Sequence, residues 1–216
     1  MKVLKIILLI LVVVIGGALI WLSTLDGKFN VERSATIDAS PDEVYAAVSD
    51  LATWPAWGVW FEREPGMVTD YNEQTAGLGA WYTWTGKDGT GRLEIVEVDP
   101  GKMMRTQIDF EGMGSSAGNW KFEPDGNGTK VTWGMSGEMP YTMRWMASSM
   151  EKYVGPDFDK GLANLSAYMA KVKEKNATAG YEFTEMNMKG TNIYYQRHEM
   201  AIEDVVSEVY ATSYGA

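Results

Sequence analysis

The 216-residue chain has 29 acidic and 19 basic residues, a formal net charge of −10 at pH 7, and this charge excludes general affinity for the phosphate backbone of nucleic acids. It has no cysteine, which excludes disulfides, thiolate metal sites and cysteine nucleophiles. Nine tryptophans beside a single histidine indicate a large apolar surface with little catalytic equipment.

The N-terminal segment is predicted to be a membrane anchor. Residues 6–25 are twenty consecutive residues without a charge, after Lys2 and Lys5, and about 20 apolar residues span a bilayer core as a helix. A cleavable signal peptide is the alternative, but its apolar part is shorter, about 7–15 residues, and ends at a small-residue site that this run lacks.

The basic start of the chain also predicts an orientation. Lysines before the span favour a cytoplasmic N-terminus. We therefore expect residues 1–27 to anchor a single-pass protein in a bacterial inner membrane, with the soluble part on the extracytoplasmic side.

A strand and a helix are predicted next. Residues 29–38 alternate and are rich in Val, Ile and Thr, as in a strand. Residues 40–51 begin with a helix-start signature, in which Ser40 caps, Pro41 takes the first helical position and Glu43 completes a capping box. Trp54, Trp57 and Trp60 then follow in a segment that its proline and glycine restrict to a short helical piece.

Residues 67–137 are predicted to form an antiparallel meander, because short strands alternate with glycine and aspartate turns. The period of two gives the sheet one apolar, aromatic face and one solvated face. The apolar face is predicted to carry Met104, Thr106, Ile108, Phe110, Trp120, Phe122, Val131, Trp133 and Met135.

A long amphipathic segment at residues 141–175 is predicted to cover the apolar face of the sheet. Its methionines, aromatics and leucines recur at helical spacing. Gly155 and Pro156 are expected to break or kink it.

This order of elements resembles a known family, the START-like or SRPBCC (Bet v 1-like) superfamily, in its polyketide cyclase/dehydrase and lipid-transport branch. The resemblance rests on four segments, RSATIDASPDEVYAAVSDLATWPAWGVWFE, GLGAWYTWTGKDGTGRLEIVEVDPGKMMRTQIDF, GTKVTWGMSGE and VGPDFDKGLANL. It implies an α+β helix-grip fold over residues 28–175. In that fold a curved antiparallel sheet grips a long C-terminal helix and leaves an elongated apolar cavity between them.

The tryptophans have two interpretations under that fold. In the first interpretation, Trp54 and Trp57 fill one end of the sheet as ordinary core. In the second, aromatic and methionine side chains line a ligand cavity, since such pockets are mostly apolar and methionine walls adapt to varied shapes. The predicted ligand-binding residues are Trp57, Trp60, Trp84, Trp120, Trp133, Met135, Met146, Met150 and Phe158.

Few residues are candidates for catalysis. His198 lies outside the segment that resembles the family, so no Ser-His-Asp arrangement is available there. Glu94 and Glu97 cannot share one face of a regular strand, so one of them is a candidate to enter the cavity with a raised pKa, and Tyr82 is a third acid-base candidate. No metal-ligand spacing and no phosphate-binding loop occur, so no metal and no cofactor are predicted.

Residues 176–216 are predicted to be a polar linker followed by strand, turn, strand and helix. They resemble the opening of a GyrI-like effector-binding domain, so we expect the chain to be a fragment of a longer two-domain protein. A hairpin and helix packed on the first domain is the alternative.

The residues favour a membrane-anchored binding protein for a lipid or other hydrophobic small molecule, tethered through residues 6–25. A polyketide cyclase or dehydratase is the first alternative, and a ligand sensor with a downstream effector domain is the second. Fold alone does not decide among them.

Overall fold

The computed structural model describes residues 2–87, 89–178, 183–188 and 191–196, with side chains as far as residue 175. The helices are α1 (Lys2–Thr24), α2 (Pro41–Ser49), α3 (Val59–Arg63) and α4 (Met150–Thr178), with two 3₁₀ helices, η1 (Leu51–Ala56) and η2 (Tyr141–Ser149). The strands are β1 (Lys28–Ile37), β2 (Val68–Tyr71), β3 (Trp81–Gly86), β4 (Gly89–Asp99), β5 (Met103–Phe110), β6 (Gly114–Asp125), β7 (Gly128–Glu138), β8 (Phe183–Met188) and β9 (Thr191–Gln196).

The chain divides into two compact units, Met1–Lys173 and Glu174–Ala216. In the second unit β8 and β9 form an antiparallel pair. His198 and the predicted helix after it lie outside the described residues, so the expected likeness of this unit to an effector-binding domain stays a prediction.

The first unit contains a curved seven-stranded antiparallel sheet in the order β1-β7-β6-β5-β4-β3-β2. Strands β2 to β7 follow one another as a meander. Strand β1 forms the edge beside β7 and pairs with it from Lys28↔Glu138 to Ile37↔Thr129. Together with α4, this sheet confirms the predicted α+β helix-grip fold.

Burial confirms the predicted apolar face of the sheet, although on β7 Thr132 and Gly134 of the opposite face are buried as well. On β5, Met104 and Thr106 are buried while Arg105 and Gln107 are exposed. Trp120, Phe122, Val131, Trp133 and Met135 are also buried, on the same side. The apolar face therefore forms the core together with α2, η1 and α4.

The start of α2 has the predicted capping box. Glu43 N–H donates to the side chain of Ser40 at 3.4 Å, and Ser40 N–H donates to the Glu43 carboxylate at 2.8 Å. The Ser40 hydroxyl also donates to the Glu43 carboxylate at 2.7 Å. This hydrogen bond, followed by the one from the Ser40 N–H, lowers the pKa of Glu43. The tryptophan segment after α2 forms two short pieces, η1 and α3.

The predicted break at Gly155 and Pro156 is wrong, because α4 runs through both residues and the change of helix type lies between η2 and α4. A kink at these residues stays a prediction. Arg33 on β1 pairs with Glu151 at 2.6 Å and with Asp159 at 3.1 Å, on the turns before and after the proline. Gly155 leaves room for the guanidinium, since a Cβ there would collide with it. Strand β1 thus bridges the turns on either side of the proline.

Helix α4 lies close to the sheet at Gly161. A Cβ at this position would lie 2.6 Å from a ring carbon of Trp133 on β7. The next turns bury Leu162, Leu165 and Met169. The indole of Trp133 therefore occupies the space that the glycine leaves on the helix surface.

We expect Gly161→Ala to destabilise the protein, although alanine is the better helix former. Overpacking a core costs about 1–3 kcal/mol, and helix propensity returns only about 1 kcal/mol. The measurement is urea unfolding of the full chain in a polymer amphipol. Ala167→Gly, on the exposed side of α4, calibrates the propensity term. If Gly161→Ala raises the free energy of unfolding by as much as Ala167→Gly lowers it, the close approach of α4 to Trp133 would be contradicted.

Candidate ligand-binding cavity

A cavity of about 340 Å³ lies between the apolar face of the sheet and the segments η1, α3, η2 and α4. Eight of the nine predicted ligand-binding residues line it. These eight are Trp60, Trp84, Trp120, Trp133, Met135, Met146, Met150 and Phe158. Their part in binding remains a prediction, but the fold brings them to one surface.

Trp57 is the ninth predicted residue, and it lies outside the lining. Its ring is buried in the core, with its edge toward Trp120 at 6.1 Å and Trp133 at 6.3 Å between ring centroids. Its indole N–H donates to the Thr53 hydroxyl at 3.1 Å. Trp54, which was expected to be plain core, is buried and also lines the cavity.

One wall of the cavity is a stack of aromatic rings. Trp133 lies between Trp120, at 4.4 Å and an interplanar angle of 17°, and Phe158, at 4.2 Å and 18°. Trp60 meets Trp133 edge-on at 5.6 Å. These rings come from β6, β7, α4 and α3, so the wall is fixed by four elements at once.

The cavity reaches one particular end of the sheet. Phe110 is paired with Gly114 and Gly86 with Gly89 in the hairpins at that end, where Glu138 is also paired with Lys28. Phe110, Gly86, Gly89 and Glu138 all line the cavity. We call this end of the cavity the mouth.

Seven further apolar lining residues were missed by the sequence reasoning: Phe29, Met67, Leu93, Met113, Met139, Met143 and Val154. Phe29 and Met113 lie beside strand ends, where alternation carries no information about a cavity. Met143 does show a signal, because it stands at helical spacing before Met146 and Met150.

The charged residues that line the cavity are already paired. Arg63 forms a short ion pair with Asp157, and Glu138 pairs with Arg144 at 3.3 Å. The carboxylate of Glu64 accepts hydrogen bonds from the backbone N–H of Lys87 at 3.0 and 3.1 Å. These four lining side chains therefore serve structural contacts, and the remaining surface is mainly apolar and aromatic.

Glu94 and Glu97 do not line the cavity. Glu94 pairs with Arg92 at 2.7 Å and Glu97 with Arg105 at 3.1 Å. A register shift between Ile95 and Glu97 breaks the alternation that should have placed the two glutamates on opposite faces. Neither glutamate therefore enters the cavity as an acid-base group.

Buried side chains with polar groups line the cavity, among them Thr106, Tyr82 and Trp120. Burial raises the pKa of the Tyr82 phenol well above its ordinary value, so this group stays protonated at neutral pH. The indole N–H of Trp120 is buried without a hydrogen-bond partner among the described residues. Both are hydrogen-bond donors at neutral pH. No group of His, Asp or Glu within the described part of the chain is arranged to hold a metal ion.

A family model described as polyketide cyclase/dehydrase and lipid transport matches residues 28–170. Among solved structures, a protein of unknown function from Staphylococcus aureus matches with a TM-score of 0.55 and 10% identity, over 69% of this chain and 98% of that chain. An uncharacterized protein from Rhizobium leguminosarum matches with a TM-score of 0.50 and 13% identity, over 67% and 95%. At these identities the likeness shows the fold alone. No curated protein matches the chain in sequence.

The buried phenol of Tyr82 should make stability fall at alkaline pH. Its pKa is higher in the folded state than in the unfolded state, so the stability present below about pH 10 is lost as the pH rises, with a slope approaching about 1.4 kcal/mol per pH unit. We expect Tyr82→Phe to flatten this slope in urea unfolding between about pH 9 and 11.5. Tyr45 and Tyr71, whose pKa values are also raised, remain in both proteins. Equal slopes for the two proteins would contradict the assignment.

Proposed function

We propose that this chain, which belongs to the polyketide cyclase/dehydrase and lipid-transport family, binds a lipid or similar elongated apolar molecule while α1 anchors the protein in a membrane. Residues 28–170 are a ligand-binding domain of the SRPBCC type. The observation that carries the proposal is the aromatic and methionine lining of the cavity. We retain residues 1–27, 28–175 and 176–216 as the proposed domains.

The size and lining of the cavity support an apolar ligand. Its volume of about 340 Å³ falls in the range of small-molecule pockets, about 300–1,000 Å³. Met135, Met146 and Met150 are flexible and polarisable walls that adjust to an elongated chain. Covering such surface with a ligand is favourable by about 25 cal/mol per Å² of apolar area removed from water.

The ligand is proposed to carry an oxygen that accepts a hydrogen bond. The indole N–H of Trp120 has no partner among the described side chains and backbone groups, and an unpaired buried donor costs about 1–3 kcal/mol. A carbonyl or hydroxyl oxygen on the ligand would remove this cost. The neutral phenol of Tyr82, on the same cavity wall, is a second donor.

Helix α1 is proposed to be the anchor. Its 23 residues extend over about 34 Å at 1.5 Å per residue, enough for a hydrocarbon core of about 30 Å. Its large apolar side chains are exposed around the helix from Val3 to Trp21, which suits lipid rather than water. Trp21 takes the position of an interfacial aromatic. The proposed location remains a bacterial inner membrane with the domain on the extracytoplasmic side.

A polyketide cyclase or dehydratase is the second candidate, and Tyr82 is the observation that favours it. A neutral phenol is able to donate a proton to a bound carbonyl compound, but it is not a base at neutral pH. The lining carboxylates Glu64, Glu138 and Asp157 already have partners. Binding therefore remains the first proposal. The sensor alternative depends on the second unit, much of which lies outside the described residues.

We expect Met150→Glu to empty the cavity of its ligand, because a charge would have to be buried against apolar groups. The measurement is native mass spectrometry of the full chain, purified in a polymer amphipol too large to enter the cavity. The wild type should carry one apolar molecule per chain, and Met150→Glu should carry at least tenfold less, about 1.4 kcal/mol or more in affinity.

Tyr153→Glu is the matched control, since Tyr153 is exposed on the same helix and does not line the cavity. It should keep the bound molecule, and both variants should keep the circular-dichroism spectrum of the wild type. Equal occupancy in Met150→Glu and the wild type would contradict binding in this cavity. A wild type without any apolar molecule, which also fails to bind cis-parinaric acid, would remove the proposed function.

The Trp120 donor predicts a preference among ligands of equal length. We expect 2-decanone to displace cis-parinaric acid about three- to tenfold more effectively than decane, because a net hydrogen bond is worth about 0.5–1.5 kcal/mol. Trp120→Phe should abolish this preference, while decane still displaces the probe. The same preference in both proteins would show that another group reads the oxygen.

A further inference from the structure

The mouth of the cavity lies at the end of the sheet from which α1 leaves. Helix α1 ends at Thr24 and β1 begins at Lys28, so three residues join them, a reach of about 14 Å at most over four Cα steps. Lys28 is paired with Glu138, which lines the mouth. The anchor and the mouth are therefore at the same end of the domain.

Segment η2 lies against the last turns of α1. The hydroxyl of Tyr141 donates to the backbone carbonyl of Leu19, two residues before Trp21. Met139 N–H donates to the carbonyl of Gly27 at 2.8 Å, and a Cβ on Gly27 would lie only 3.0 Å from the Arg144 side chain. Tyr141 is thus held at the level of α1 where an interfacial tryptophan stands.

Exposed apolar side chains border the mouth. Trp145 on η2 is 53% exposed and Tyr141 is 40% exposed. Met113 follows β5 and Val68 begins β2 at this end of the sheet, with exposures of 41% and 68%. Leu78 and Val96 are exposed elsewhere, so exposure of a single apolar side chain is not special to this end. Here, however, four exposed apolar residues come together from three parts of the chain, which are η2, the β5–β6 hairpin and β2. We call Val68, Met113, Tyr141 and Trp145 the rim.

We propose that the rim rests on the lipid bilayer that α1 spans, so that the cavity opens onto the membrane and exchanges its ligand directly with lipid. This inference rests on the proposed membrane anchor. Tryptophan and tyrosine concentrate at the membrane interface because their rings are apolar and their polar groups remain hydrated. An apolar surface of this kind enters the headgroup region by about 5–10 Å.

The ion pair beside the rim does not oppose this placement. Arg144 beside the rim is paired with Glu138, so the two charges are matched locally, although the whole chain carries −10. The negative charge of the whole chain repels an anionic bilayer, but this ion pair adds nothing to that repulsion. A bilayer of zwitterionic phosphatidylcholine tests the apolar contact without that long-range term.

The experiment uses the full chain, which has no cysteine, so that a single introduced cysteine labels one position. Trp145→Cys and Met113→Cys report independently on the rim, and Trp21→Cys reports on the anchor. Asn127→Cys is the matched control, exposed in the hairpin at the other end of the sheet. Strand β1 has 10 residues, so that hairpin is about 30 Å farther from the membrane.

Each variant is labelled with a nitrobenzoxadiazole fluorophore and reconstituted in phosphatidylcholine vesicles with or without lipids that carry a spin label near the headgroup. We expect strong quenching and a blue-shifted emission at positions 21, 113 and 145, and at least fivefold weaker quenching at position 127. The circular-dichroism spectrum of each variant should match that of the wild type.

Quenching at position 21 with none above the control level at 113 and 145 would overturn the rim contact and leave the anchor intact. Absence of quenching at all four positions would overturn the anchor, and the rim contact with it. Equal quenching at 127, 113 and 145 would show that the domain lies flat on the bilayer, which also contradicts an oriented mouth.

Discussion

The structure depends on the stack in which Trp133 of β7 lies between Trp120 of β6 and Phe158 of α4. It joins two central strands to the long helix, and Gly161 lets the helix come close enough for the contact. Buried aromatic pairs of this kind contribute about 0.5–1.5 kcal/mol each beyond the area they bury. The core on one side of the stack is filled by Leu162, Leu165 and α2. The space that remains open is the cavity, which has seven methionines among its lining residues.

The paired charges give the cavity its chemical character. A carboxylate in an apolar site needs a partner or loses its charge, and Asp157, Glu138 and Glu64 have partners on neighbouring elements. The groups that remain to bind a polar part of a ligand are neutral, among them the Tyr82 phenol, the Trp120 indole and the Thr106 hydroxyl. Such groups suit an oxygen on a mainly apolar molecule.

Much of the fold follows from local patterns in the sequence. The alternation around Met104 and Arg105 gave the two faces of the sheet, and Ser40 with Glu43 marked the start of α2, because both signals depend only on neighbours in the chain. The register shift after Ile95 belongs to the pairing of β4 with β5, and the helical turns on either side of Pro156 contact Arg33 of β1. Local patterns carry no record of such contacts, so the faces of Glu94 and Glu97 and the course of α4 were not predictable.

The candidate site shows the same division. Most lining residues were predictable, because a helix-grip cavity forms between the apolar face of the sheet and the helix. Trp54 and Trp57 could not be told apart, because both are buried and no local pattern shows which of them reaches the cavity. The position of the mouth is a consequence of pairing alone. Strand β1 is an edge strand, and its antiparallel pairing with β7 brings its first residue beside the last residue of β7. Segment η2 continues from β7 over the cavity, and α1 precedes β1. Any helix placed directly before β1 in this topology therefore emerges beside the mouth. A helix attached after Ile37, at the other end of the same strand, would have left the cavity facing away from it.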